Sequence, residues 1–194
     1  YMEQEYPATA DEALAPSRVL SAFDPDILKL MQDDVRKPIS KLGSANIYQR
    51  YAVGKKYAAG TDTSHGTGGD DAVTVIVDIM TGYVVADIQS SVMSPEDLAF
   101  QSVKLLEAYQ NPIWAIEDND WGIVTIRKAE ELEYKQLYER ANNKVGWHTD
   151  ERTRTVLWGD LIEAINSRLL AIPSTNGLSQ FVSVIRNPDK GGRI

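Results

Sequence analysis

The stretch Ala72–Met80, AVTVIVDIM, constrains the fold more than any other part of the chain. It is almost wholly apolar and rich in β-branched side chains. That composition predicts a strand buried on both faces rather than one that turns alternate residues to water. Its surroundings supply partners. Thr81 and Gly82 turn the chain, and YVVADIQSS runs back as the other arm of a hairpin. Upstream, KKYAAGT reads as a further strand.

Downstream, SPEDLAFQSVKLLEAYQN predicts a helix. Ser94 is placed to cap it, Pro95 suits the first turn, and Glu96 and Asp97 suit the positive end of the helix dipole. Leu98, Ser102, Leu105, Leu106 and Tyr109 follow helical spacing. NPIWAIE is then a short strand, and strand–helix–strand implies a right-handed crossover with a parallel pair. DWGIVTIRKAEELE predicts a helix and QLYER a short strand. TDERTRTVLWGDLIEAINSR predicts a long amphipathic helix, capped by Thr149 and with Leu157, Leu161 and Ile165 on one stripe. TNGLSQFVSVI reads as helix, then strand. The expectation is an α/β chain with a mixed sheet, three antiparallel strands followed by parallel ones and flanked by helices. That is the order of the ribonuclease H-like fold.

Residues 1–50 differ from the rest. They carry scattered Pro and Ala, one helical pattern near Ile27–Asp34 and no clear strand, and read as a leader that packs on a domain or links two. Residues 51–194 hold the regular part. With 194 residues, 43% hydrophobic and 25% charged, the chain suffices for one domain with a sizeable core. No run of about 18 apolar residues is present, so no membrane helix is expected, and the acidic start shows no signal-peptide h-region. The absence of cysteine excludes disulfides and Cys-ligated zinc, and fits a reducing compartment. A net charge of −8 argues against a protein that grips phosphates indiscriminately. Nucleic acid would need a local basic groove, metal ions or a neighbouring domain.

Two acidic residues stand where chemistry is expected. Asp62 ends the first strand and Glu117 ends NPIWAIE. If those strands are parallel neighbours, both carboxylates leave the same edge of the sheet, where ligands of α/β sheets bind. Carboxylates held together repel unless a cation neutralises them. Oxygen donors suit Mg²⁺ or Mn²⁺, and two such ions about 4 Å apart can activate a water and stabilise the leaving oxygen of a phosphodiester. Acidic residues also end strands because water solvates them there, and spacing alone leaves both readings open.

Three stretches carry a resemblance: GTDTSHGTGGDDAVTVIVDIMTG, IEDNDWG and VGWHTDERTRTVLWGDLIEAI. Together they resemble the C-terminal nuclease domain of the large terminase subunit of tailed phages and prophages. That family shows an Asp ending the first strand, a Gly-rich loop with Gly-Asp before the second, and Glu-x-Asn-x-x-Gly at the fourth. The matching positions are Asp62, then Gly69 and Asp70, then Glu117, Asn119 and Gly122. The leader EQEYPATADEALAPS resembles the segment that follows the ATPase motor in these proteins, with Leu14 in place of the usual Phe.

The resemblance implies a metal-dependent endonuclease cutting concatemeric double-stranded DNA, with a two-metal Mg²⁺ or Mn²⁺ site. By position, Asp62 and Glu117 are metal ligands, Asp70 an accessory acid at the metals, Asn119 a shaper of the site and Gly122 a closely packed helix start. Asn119 reads equally as an Asx turn and Gly122 as a plain helix-start glycine. Asp71 stands where the family often has an aromatic residue and receives no role. Lys144, Arg152 and Arg154 are the candidate DNA phosphate contacts, although most basic residues here alternate with acids as on a solvated face. His65, in the Gly-rich loop, is a candidate contact to metal or phosphate. His148 reads as structural, and Trp114, Trp147 and Trp158 as core. Implied partners are the terminase ATPase domain, the small terminase subunit and the portal, in the cytoplasm of a bacterial host and away from membranes.

The family's third acidic motif would follow NPDKGGRI, past Ile194, so the resemblance implies a site truncated before that acid. The ATPase half is absent too: GKK at Gly54 lacks the frame of a phosphate loop. Two rival readings stand beside the nuclease. One is a non-catalytic DNA-gripping or motor-docking module of the same fold. The other is an actin-like ATPase or sugar kinase, suggested by GTDTS alone.

Overall fold

The computed structural model describes residues 21–141 and 143–186. EQEYPATADEALAPS and NPDKGGRI, on which part of the resemblance rests, lie outside the described residues. The chain divides into two compact units, Lys37–Thr153 and a second made of residues 21–36 and 154–186.

In the first unit, β1 (Ser40–Leu42) and β2 (Ala45–Ile47) form a tight hairpin about Gly43, whose φ of 58° lies in the left-handed region. β3 (Tyr57–Asp62), β4 (Ala72–Asp78) and β5 (Tyr83–Ser90) are antiparallel neighbours. α2 (Pro95–Glu107) crosses over to β6 (Ile113–Ile116), which lies parallel to β3. α1 (Pro25–Met31) belongs to the second unit. The sheet order is β1-β2-β5-β4-β3-β6. The expected three antiparallel strands and parallel addition are therefore present, and the mixed sheet is ribonuclease H-like. α3 (Gly122–Glu131) packs on α2.

α2 begins as its sequence dictates. The Ser94 hydroxyl accepts from the Asp97 backbone N–H at 3.1 Å, and Pro95 occupies the first turn. Leu98, Leu105 and Leu106 are fully buried, worth about 1.5–3 kcal/mol each by transfer from water. A chain of buried hydroxyls ties these layers together. Thr61 and Thr74 share a hydrogen bond of 2.7 Å, Thr74 and Ser102 one of 2.8 Å, and the Trp114 indole donates to Thr61 at 2.8 Å. Each buried polar group is thereby satisfied, and the ends of β3 and β4 are fixed to α2.

Several expectations change. β4 is not equally buried on both faces: Ala72, Thr74, Ile76 and Asp78 are buried while Val73, Val75 and Val77 are half-buried. The strand stops at Asp78, leaving Ile79 and Met80 exposed. Residues 40–47, read as leader without strands, join the sheet, because three-residue strands are too short to show an alternation. QLYER forms no strand and pairs only through isolated bridges, Trp114 with Leu137 and Glu139 with Val145.

In the second unit, α1 (Pro25–Met31) is capped by Asp24, and a single 3₁₀ turn follows at Gln32–Asp34. α4 (Glu151–Asn166) continues from the first unit, and α5 (Thr175–Val182) is capped by Ser174. Phe23, Met31 and Ile165 are its buried centre, with Phe23 edge-on to Phe181 at 5.0 Å. Asp150, not Thr149, caps α4. It accepts from the Thr153 backbone N–H at 2.8 Å, and the Thr153 hydroxyl accepts from the Asp150 backbone N–H at 2.8 Å. Of the expected stripe Ile165 is buried, but Leu157 is 49% exposed. The strand expected after α5 is a single bridge between Ser21 and Ile185. Among the described residues no helix is long and apolar enough to cross a membrane.

Asp78 supplies a prediction. Its side chain is fully buried, forms an ion pair with Lys55 and accepts from the Met80 backbone N–H at 3.0 Å. Burial opposes its ionisation, but the bonds from Lys55, Met80 and Thr81 outweigh that, and its pKa is lowered. A depressed carboxyl stabilises the fold above its unfolded value of about 3.9, and that stability is lost as pH falls through the folded value. Asp78→Asn should flatten this acid limb in urea unfolding measured from pH 6 to pH 2. It should also cost about 1–3 kcal/mol at neutral pH. An unchanged limb would show that the pair contributes nothing to stability.

Candidate active site

The site is built where β3 and β6 end together. Thr61 pairs with Ile116 in the parallel register, and the Glu117 backbone N–H donates to the Thr61 carbonyl at 3.0 Å. Asp62 and Glu117 thus follow one another across the same edge, as expected from their positions. The Glu117 carboxyl lies close enough to Asp62 to bear on its ionisation. Protein packed around the Asp62 carboxyl raises its pKa, the charge and hydrogen bond of Glu117 raise it further, and Asp70 adds a smaller repulsion. A bound cation's charge would relieve the same repulsion.

The residues after Glu117 hold it in place. The Asn119 amide donates to Glu117 Oε1 at 2.8 Å and to the Thr149 carbonyl at 3.2 Å. The Gly122 N–H donates to the Asn119 carbonyl at 2.8 Å, closing a turn in which Asp120 has φ 42°. A methyl group at Gly122 would overlap the Glu117 carbonyl, 2.8 Å from its carbon. Gly122 is therefore more than a helix start, since no side chain fits there. A further strand-like segment lies alongside: the Trp147 N–H donates to the Ile116 carbonyl and the Asp118 N–H to the Trp147 carbonyl, both at 2.7 Å.

On the approach from β3, the Gly-rich loop is pinned to the end of β5. The Gly68 N–H donates to the Ser91 carbonyl at 2.7 Å. Gly66, at φ 74°, lies so close to Met93 that a methyl would meet its carbonyl carbon at 2.9 Å. Asp70 sits on this loop, exposed, and Asp71 is bound by Gln89.

Sequence reasoning missed a second cluster. Asp118 forms an ion pair with Arg140 and a 2.8 Å contact with His148 Nδ1. His148 is therefore tied to the residue after Glu117, and Arg140 is the basic residue anchored beside the site. Lys144 is exposed in the turn between Glu139 and Val145, and Arg152 is exposed in the first turn of α4. Arg154 is also exposed on α4, but falls in the second unit. Trp114 is fully buried as expected.

No family model matches the sequence, and no curated protein does. Solved structures do match. The large terminase nuclease from thermophilic phage G20c with bound magnesium aligns over 92% of this chain and 87% of its own, with a TM-score of 0.71 at 14% identity. The fold is that of a phage large terminase nuclease. The same phage nuclease with bound cobalt gives a TM-score of 0.68 at 14% identity, over 88% of this chain and 82% of its own. The Thermus phage P74-26 large terminase nuclease domain gives 0.59 at 13% identity, over 80% of this chain and 76% of its own. Within this terminase-nuclease fold, the donors present can be weighed against a divalent cation. Asp62 and Glu117 offer hard oxygen donors at the neighbouring ends of β3 and β6, which fits one such ion completed by water or phosphate oxygens. Among the described residues no group of three His, Cys, Asp or Glu gathers into a metal-holding set. Asp70 is felt at Asp62 without joining it.

Proposed function

We propose that this chain is the divalent-cation-dependent nuclease domain of a viral DNA-packaging terminase, acting on concatemeric double-stranded DNA in the host cytoplasm. The observation that carries the reading is the Asp62–Glu117 pair on the parallel strands β3 and β6, within a fold shared with nucleases solved with bound magnesium and cobalt. In this reading Asp62 and Glu117 hold the cation, and Asp70 joins them as an accessory acid. Asn119 aims the Glu117 carboxylate, and such supporting bonds are typically worth about 10–100-fold in metal affinity or activity. When bound, the cation supplies charge that lowers the pKa of a water and stabilises the leaving oxygen. A second ion would need a further carboxylate beyond the described set. Lys144, Arg152 and Arg154 are proposed to meet DNA phosphates. Residues 51–194 are proposed as the nuclease domain and 1–50 as the segment following an ATPase domain. The small terminase subunit and the portal are the proposed assembly partners.

The test is incubation of supercoiled plasmid with the protein and Mn²⁺ or Mg²⁺. Nicked and linear product should form with little sequence preference, and none in EDTA. DNA binding without any cutting would replace this reading with the gripping module.

A further inference from the structure

Beside the carboxylate pair stand two aromatic rings that the chemistry above does not use. His65 follows Asp62 by three residues, and Trp121 follows Glu117 by four. Their ring centroids are 4.2 Å apart, with an interplanar angle of 42°. Both residues are exposed, Trp121 at 42%. We propose that His65 and Trp121 form a stacking platform for an unpaired nucleobase of the strand entering the Asp62–Glu117 site. The proposal deepens the nuclease reading and rests on it.

Three observations support it. First, the backbone beside each ring is constrained. Trp121 precedes Gly122, locked against the Glu117 carbonyl, and His65 precedes Gly66, locked against Met93. The chain at each ring is thus fixed by close packing next to it. Second, helix packing does not account for Trp121. It occupies the cap position of α3 and makes no capping hydrogen bond, where Ser, Thr, Asp or Asn would. Part of a large apolar side chain, 42% exposed, is left in water at a place that local structure would fill with a small polar residue. Third, ionic contacts from Lys144, Arg152 and Arg154 are few, and stacking adds a grip of another kind. The chain carries a net charge of −8, and Asp62, Glu117 and Asp70 repel phosphate unless neutralised. Stacking on an aromatic face is indifferent to the sign of the surrounding charge, and every base has such a face. An unpaired base fits best, since paired bases present edges rather than faces.

The experiment uses the full chain in EDTA at low salt, where cutting is absent. A short fluorescently labelled single-stranded oligonucleotide and a blunt duplex of the same sequence are titrated, and binding is read by anisotropy. Wild type should bind the single strand and quench its tryptophan emission. Trp121→Ala should weaken that binding about 5- to 100-fold, with Trp121→Phe close to wild type and His65→Ala between. Duplex binding should barely change, and thermal melting should be the same for all four proteins. Equal binding by Trp121→Ala and wild type overturns the platform, as does no single-strand binding by wild type. If Trp121-dependent binding is found but plasmid is never cut with Mn²⁺, the platform stands and the nuclease reading fails. If plasmid is cut and Trp121→Ala binds and cuts like wild type, only the platform fails.

Discussion

Asp62→Ala is expected to lower Mn²⁺-dependent plasmid cutting by on the order of 10³-fold. The carboxylate is one of the two donors that, among the described residues, the ends of β3 and β6 bring together. Removing it forfeits several kcal/mol of charge stabilisation at the reacting phosphate, and each ~1.4 kcal/mol is a decade in rate. The same residue should be a burden to the metal-free protein. Protein packed around its carboxyl, then Glu117, raise its pKa, so stability is greatest where it keeps its proton and falls as pH rises through the folded value. Asp62→Asn keeps a neutral partner that can donate to Glu117. In EDTA at neutral pH it should melt above wild type, with the gap closing towards acid pH, while cutting is lost as in Asp62→Ala. Two results would count against this account: Asp62→Ala cutting at the wild-type rate on a gel time course, or Asp62→Asn melting below wild type at neutral pH.

Gly122→Ala should be the most damaging methyl group in the chain for activity. There the new Cβ would overlap the Glu117 carbonyl, a backbone atom that cannot swing aside. The Asn119–Gly122 turn would have to open, carrying with it the amide that holds Glu117 Oε1. Overpacking of this kind costs about 1–3 kcal/mol or more, and displacement of a reacting group by about 1 Å can cost 10²-fold in rate. The expected result is a lowered melting temperature together with a roughly 100-fold loss of cutting. Gly60→Ala is the control, because a methyl there meets nothing within 4 Å. If Gly122→Ala cuts as well as Gly60→Ala, the turn does not position Glu117.

Local chemistry was enough for part of this protein. AVTVIVD had to be a strand, and Ser94-Pro95-Glu96-Asp97 had to start a helix, because propensity and capping act within one turn or one strand. Strand–helix–strand implied a parallel β6, and the sheet order then set it against β3 and placed Asp62 beside Glu117. The contacts that fix the site's surroundings join residues far apart in sequence, and no short-range periodicity records them. Asp118 meets Arg140 and His148 only because the 145–147 segment folds back along β6. His65 meets Trp121 only because two separate glycine turns point at the same edge. Asp70 matched its motif, yet the path of a loop pinned at Ser91 and Met93 sets how far its carboxylate stands from the pair. The cap of α4 passed from Thr149 to Asp150, because a reciprocal bond with Thr153 outweighs residue preference alone. The sequence by itself determined the strands β3 to β6 and that carboxylates stand at the ends of two of them. The tertiary structure decided which groups stand around those carboxylates, because hydrogen bonds and steric contacts act over a few ångströms in space, whatever the separation along the chain.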